Sequence, residues 1–136
     1  MKRVLLDTNA YAAFKRGRRD ALDIVRLAGT IGMSSIVVGE LLSGFAVGTR
    51  EADNRRELST FLDSARVKVL GVDETTADYY AHTYSALKRK GKPIPTNDLW
   101  IAATALQHGF AVFSFDRHFE HIDGLIVGRQ SSDFLP

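Results

Sequence analysis

The sequence predicts an α/β sandwich built on a mostly parallel sheet, and three observations carry that prediction. Short apolar runs recur along the chain without the in-and-out alternation of half-exposed strands, which is how strands covered on both faces read. Longer stretches with helical spacing and capping signals lie between them. The 136 residues, 45% hydrophobic and 25% charged, have an ordinary globular balance and the size of one compact domain, 1–136. Strands that alternate with helices fold as a parallel sheet, because each crossover helix must cover a face.

The strands fall at 4–6, 31–33, 67–70, 111–113 and 125–127. After the first, residues 10–14 and 20–28 form a helical pair broken at Gly17. Ser34 or Ser35 N-caps a helix running toward Gly44 or Gly48. Residues 51–65 repeat Leu58, Phe61, Leu62 and Ala65 at helical spacing. Residues 75–90 place Ala77, Tyr80, Tyr84 and Leu87 on one face, read as core. A last helix, 96–107, opens with Pro95-Thr96-Asn97-Asp98 and closes at His108-Gly109.

Composition removes several functions. There is no cysteine, so disulfide scaffolds, thiolate nucleophiles and cysteine-held metals are excluded. No glycine-rich phosphate loop is present, which argues against a nucleotide cofactor. Asp7 comes too early for a signal peptide, and no apolar run approaches the roughly 20 residues of a membrane span. A soluble, cytoplasmic chain with no membrane partner is expected. Its 18 basic and 16 acidic residues leave a net charge of 18 − 16 = +2, too small to identify a partner.

The placement of the acids says more. Asp7 is the only formal charge between Arg3 and Lys15, and Glu40 the only one between Arg26 and Arg50. Asp98 stands alone between Lys92 and Asp116, and Asp116 closes the apolar stretch 110–115. In a parallel sheet Asp7 and Asp116 directly follow strands, while Glu40 and Asp98 fall in the opening turns of helices. All four then lie on the carboxyl edge, where open α/β sheets bind ligands. Two carboxylates about 5 Å apart repel by roughly 3 kcal/mol at an effective dielectric of 20. Either some hold protons or a cation sits among them. Oxygen donors without histidine or cysteine suit Mg²⁺ or Mn²⁺. Such a cluster serves metal-assisted phosphodiester hydrolysis, with metal-activated water as the nucleophile. Each acid also has a plainer reading: Asp7 and Asp98 as helix caps, Asp116 as a turn residue. Glu40 has the weakest one, since segment 36–46 is apolar nearly all round and a buried unpaired Glu is costly.

These blocks resemble the PIN-domain ribonucleases, the VapC toxins of type II toxin–antitoxin pairs. Leu5-Leu6-Asp7-Thr8-Asn9 matches the family's first strand and first acid, and Glu40-Leu41-Leu42-Ser43-Gly44 its Glu-Leu-x-x-Gly helix. Gly91-Lys92-Pro93-Ile94 with Asn97-Asp98-Leu99-Trp100 matches the third block, and Ser114-Phe115-Asp116 with Phe119 the fourth. The family more often has Thr where Ser114 stands. The resemblance implies a Rossmann-like α/β/α sandwich, a homodimer and a Mg²⁺- or Mn²⁺-dependent endoribonuclease held inactive by a cognate antitoxin. It makes Asp7, Glu40, Asp98 and Asp116 the catalytic, metal-binding quartet, supported by Asn9, Ser114 and Asn97.

Two basic clusters, Lys15-Arg16-Gly17-Arg18-Arg19 and Lys88-Arg89-Lys90-Gly91-Lys92, suit RNA phosphates flanking an acidic site. Their other reading is a pair of solvated helix ends. His82, His108, His118 and His121 are read as outside the chemistry, and Trp100 as packing. Rival functions are a PIN nuclease for RNA maturation or decay and a non-catalytic nucleic-acid-binding module. Aspartate-nucleophile phosphatases need a second Asp where this chain has Asn9.

Overall fold

The computed structural model describes residues 2–135. Strands β1 (Arg3–Leu6), β2 (Thr30–Ser34), β3 (Val67–Leu70), β4 (Ala111–Phe113) and β5 (Val127–Gly128) form one sheet in the order β3-β2-β1-β4-β5. Every pairing is parallel. Helices α1 (Thr8–Lys15), α2 (Arg19–Leu27), α3 (Ser35–Ala46), α4 (Glu51–Leu62), α5 (Glu74–Lys90) and α6 (Thr96–His108) flank it, and two 3-10 turns, Arg117–His121 and Ser131–Phe134, complete the chain. The predicted α/β/α sandwich is the fold observed.

β1 lies at the centre, with Val4 opposite Ile31 on one side and Leu5 opposite Val112 on the other. Val4, Leu5 and Leu6 are all buried, because helices cover both faces of this strand. β3 departs from expectation: it is an edge strand, with Lys68 and Val69 exposed. A lysine on an open edge discourages pairing with another chain. β5 is shifted from 125–127 to Val127–Gly128, since Leu125 still belongs to the preceding turn, its N–H donating to the Ile122 carbonyl. Gly128 has no room for a side chain; a Cβ there would sit 2.8 Å from the Phe134 ring.

Helix boundaries follow local chemistry. The Asp7 carboxylate accepts from the Ala10 N–H and starts α1, and the Ser34 hydroxyl accepts from the Val37 N–H and starts α3. Gly17, at φ +80°, separates α1 from α2, as only glycine adopts that backbone readily. α4 stops at Leu62, short of 65, where the Asp63 and Ser64 N–H groups turn back onto the Ser59 and Phe61 carbonyls. α5 begins in a capping box between Asp73 and Thr76 and ends at Gly91, φ +68°. Its buried line is Thr76, Thr83 and Leu87, the row that meets α6, with Tyr80 half-buried. Ala77 and Tyr84 face outward, so the face predicted through them is only partly core.

The strand order reverses beside β1: the chain proceeds to β2 and β3 on one side, then crosses to β4 and β5 on the other. Parallel sheets open a crevice at such a point, outside the carboxyl ends of the two strands. Asp7 follows β1 and residues 114–116 follow β4, so both sides of that crevice begin in acid.

Candidate active site

Asp7 anchors the crevice. It is 5% exposed; one carboxylate oxygen accepts from the Ala10 N–H at 2.8 Å and the other from the Ser114 hydroxyl. Ser114 is itself fully buried, and its oxygen accepts from the Asp116 N–H at 2.9 Å, tying the end of β1 to the end of β4. Burial pushes the Asp7 carboxyl up to about 6; the bonds from Ser114 and Ala10 oppose the rise, and the charges of Asp98 and Asp116 add to it.

Asp98 stands in the first turn of α6, where the helix N-terminus favours negative charge. It does not cap the helix: the residue before α6 is Pro95, and no side chain caps there. Burial raises its carboxyl above the ordinary range against the pull of His118, with Asp116 and Glu40 adding to the rise. Asp116 realises its plainer reading too, accepting from the His118 N–H at 3.0 Å to start the 3-10 turn.

Glu40 lies six residues into α3, in its second turn and one turn further in than Asp98 in α6, and it departs from expectation in being half-buried rather than enclosed. The longer Glu side chain spans that offset to meet the Thr8 hydroxyl at 2.6 Å and the Asn97 amide at 3.3 Å, one on each oxygen. Asn97 thus makes a supporting contact. Asn9 is exposed and lines the cleft.

The cleft has a volume of about 470 Å³ and is lined by all four acids together with Thr8, Asn9, Asn97 and His118. Among the described residues no lysine or arginine pairs with any of the four carboxylates; the one nitrogen side chain of another kind that faces two of them is His118. Its Nδ1 is 2.6 Å from Asp98 Oδ2 and 3.0 Å from Asp116 Oδ1. Ligand atoms of Asp98, Asp116 and His118 lie within 4.8 Å of one another, a spacing one metal ion spans. A buried carboxyl with two acidic neighbours and no lysine or arginine partner suits a divalent cation.

The basic clusters divide. Arg18 lies 4.0 Å over the Phe115 ring, next in sequence to Asp116, and also reaches Asp20 at 3.7 Å. Lys15 and Arg19 reach Glu57 and Asp23, and Arg16 lines a groove with Tyr11 and Glu57. Lys88 stands 6.0 Å over the Tyr84 ring, Arg89 donates to Ser85, and Lys92 is exposed. Lys90 is committed elsewhere, its ammonium 2.6 Å from Asp123 and 2.8 Å from the His121 carbonyl. Trp100 packs as expected, its ring 4.2 Å from that of Tyr80.

The PIN domain family matches residues 4–125. The chain belongs to the PIN-domain family. It is 33% identical to Ribonuclease VapC4 of Mycobacterium tuberculosis, over 88% of this chain and 90% of that protein. Among solved structures this PIN domain resembles DNA-bound VapBC from Salmonella typhimurium, with a TM-score of 0.81 and 28% identity over 94% of this chain and 98% of that one. It also resembles VapBC-5 from Mycobacterium tuberculosis, a member of the VapBC family of toxin-antitoxin systems, with a TM-score of 0.69 and 25% identity over 93% and 95% of the two chains.

Two residues of the PIN-domain cleft escape the sequence reading. Thr8 stands inside a motif whose attention goes to Asp7 and Asn9, and its partner Glu40 is 32 residues away. His118 is set aside as part of a short segment, yet Asp116 two residues earlier carries the signal. An Asp in that position turns the backbone and brings the second residue after it alongside.

Proposed function

We propose that this chain is the toxin of a type II toxin–antitoxin pair, a metal-dependent endoribonuclease that hydrolyses RNA phosphodiester bonds. The observation that carries this reading is the buried Asp7, charge-coupled to Asp98 and Asp116 with no basic partner, at the reversal of strand order. Asp7, Glu40, Asp98 and Asp116 are the groups that hold one or two Mg²⁺ or Mn²⁺ ions, and residues 1–136 act as one nuclease unit. When bound, such an ion polarises the phosphoryl group, activates water and neutralises developing oxygen charge.

The chain's own groups do the rest. Ser114 holds Asp7 and the Asp116 backbone in register, so the two strand ends cannot drift apart. Thr8 and Asn97 fix both oxygens of Glu40, so it meets its ligand without reorganising. Asn9 supports the shell from the cleft wall. Arg18 beside Phe115, with Lys15, Arg16 and Arg19 close to it in sequence, and Lys88, Arg89 and Lys92 on the other cluster, meet substrate phosphates, while Lys90 stays with Asp123. The likeness to solved VapBC structures supports an antitoxin partner. That antitoxin inhibits by laying an Arg or Lys among the carboxylates, which satisfies them as a cation does and blocks the phosphate path. The active toxin is a homodimer.

Mapping RNA ends after brief expression of wild type and Asp7→Asn tests the reading. New 5′ ends appear with wild type and not with the variant; identical end maps for the two discard the nuclease assignment.

A further inference from the structure

We propose that His118 is a nitrogen ligand of the divalent ion at this site and that it shifts the site's preference toward Mn²⁺ over Mg²⁺. The inference rests on the metal-site reading above and adds a donor that the acidic quartet does not contain.

The geometry has three parts. First, Nδ1 faces two carboxylate oxygens at once, 2.6 Å from Asp98 and 3.0 Å from Asp116. Adjacent donors around an octahedral ion, each about 2.1 Å from it, stand about 3 Å apart; the Asp116 contact has that spacing, and the Asp98 contact, a hydrogen bond as it stands, needs to open by a few tenths of an ångström. Second, the imidazole is held at its root. Asp116 accepts from the His118 N–H, the next residue, Phe119, is fully buried, and Lys90 fastens the far end of the turn through the His121 carbonyl. Third, among the described residues His118 alone of the histidines contacts a carboxylate.

A nitrogen donor changes which ion is preferred. Mg²⁺ is hard and takes oxygen, whereas imidazole gains affinity for first-row transition ions.

The test uses the full chain as wild type, His118→Ala, His118→Asn and Asp98→Asn. Affinity for Mn²⁺ and Mg²⁺ is read by calorimetry, and the bound Mn²⁺ by electron spin echo modulation, which detects a directly ligated ¹⁴N. Wild type is expected to show nitrogen modulation that both His118 variants lack. His118→Ala is expected to lose Mn²⁺ affinity by about tenfold or more, the lower end of what removing support from a metal site costs, and Mg²⁺ affinity by less than about threefold. His118→Asn returns an N–H near the Nδ1 position without an imidazole nitrogen. If that variant binds both ions as wild type does, or if wild-type Mn²⁺ shows no nitrogen modulation, His118 only positions Asp98 by a hydrogen bond and the ligand role is overturned. Wild type that binds no Mn²⁺, or Asp98→Asn that binds it unchanged, overturns the metal-site reading and this inference with it.

Discussion

Asp7 and Asp73 occupy the same position relative to their helices. Each precedes the first residue, of α1 and α5, and each carboxylate accepts from the backbone N–H three residues on, at 2.8 and 3.1 Å. Their electrostatics are opposite. Asp73 stands in solvent, and the Thr76 backbone, the Gln107 amide and the Thr76 hydroxyl hold its carboxyl below the usual range. Asp7 has comparable local help from Ala10 and Ser114, yet burial, with Asp98 and Asp116 nearby, pushes it up to about 6. The cap is set within three residues of the chain, whereas the ionisation is set first by burial in the folded core and then by residues about 90 and 110 positions away. A buried cap surrounded by acids is poor helix design and suits a cation site.

The largest expected effect separates the two aspartates by activity. Asp7→Asn lowers the single-turnover rate of RNA cleavage by about 10²-fold or more, because several kcal/mol of transition-state charge stabilisation go with the ligand. Asp73→Asn, which keeps a capping oxygen, leaves that rate unchanged. Equal losses in the two variants erase the distinction.

Stability of the metal-free chain reverses the order. A carboxyl raised from 3.8 to about 6 corresponds to about 3 kcal/mol at about 1.36 kcal/mol per pH unit. The folded chain binds the extra proton, so wild type loses stability as pH rises from about 4 to 6, and the penalty is complete above that. Asp7→Asn is therefore more stable than wild type at pH 7.5, and the advantage disappears near pH 4. Asp73→Ala goes the other way: its stabilisation is present above the unfolded value of 3.8 and is lost as pH falls through its lower folded value. Urea melts at several pH values check both signs. An Asp7→Asn chain less stable than wild type at every pH rejects the burial penalty.

The smallest effect concerns charges outside either cap. Lys88→Ala with Arg89→Ala is expected to reduce the salt dependence of RNA binding by about 1.4, about 0.7 per lost phosphate contact on a single strand. Lys90→Ala leaves the slope alone, since its ammonium is held by Asp123. An unchanged slope in the double variant makes the cluster a solvated helix end.

Legibility in the sequence followed the same division between local and distant. Strand runs such as 4–6 and the cap signals at Asp7 and Ser34 depend on a few neighbouring residues, and they came out where periodicity put them. The gathering of the acids was legible because parallel topology dictates which edge each one occupies. The phase of Glu40 within α3 was not, because it depends on how the helix packs and whether Thr8 and Asn97 come within reach. Tyr84 carried an apolar signal but faces outward, because α6 meets only one row of α5. His118 was hidden for a related reason: a turn of five residues has no periodicity, and the contact that matters runs from residue 118 back to residue 98.

The bond from Ser114 to Asp7 joins residues 107 positions apart, and it exists only once β4 has paired with β1. Closing so long a loop is a slow, entropically opposed step that local helices cannot substitute for. Any partly folded chain, however helical, therefore keeps Asp7 and Asp116 on unconnected pieces. The site has a built-in delay: its acids are brought together with the β1–β4 pairing and separate whenever that pairing is undone.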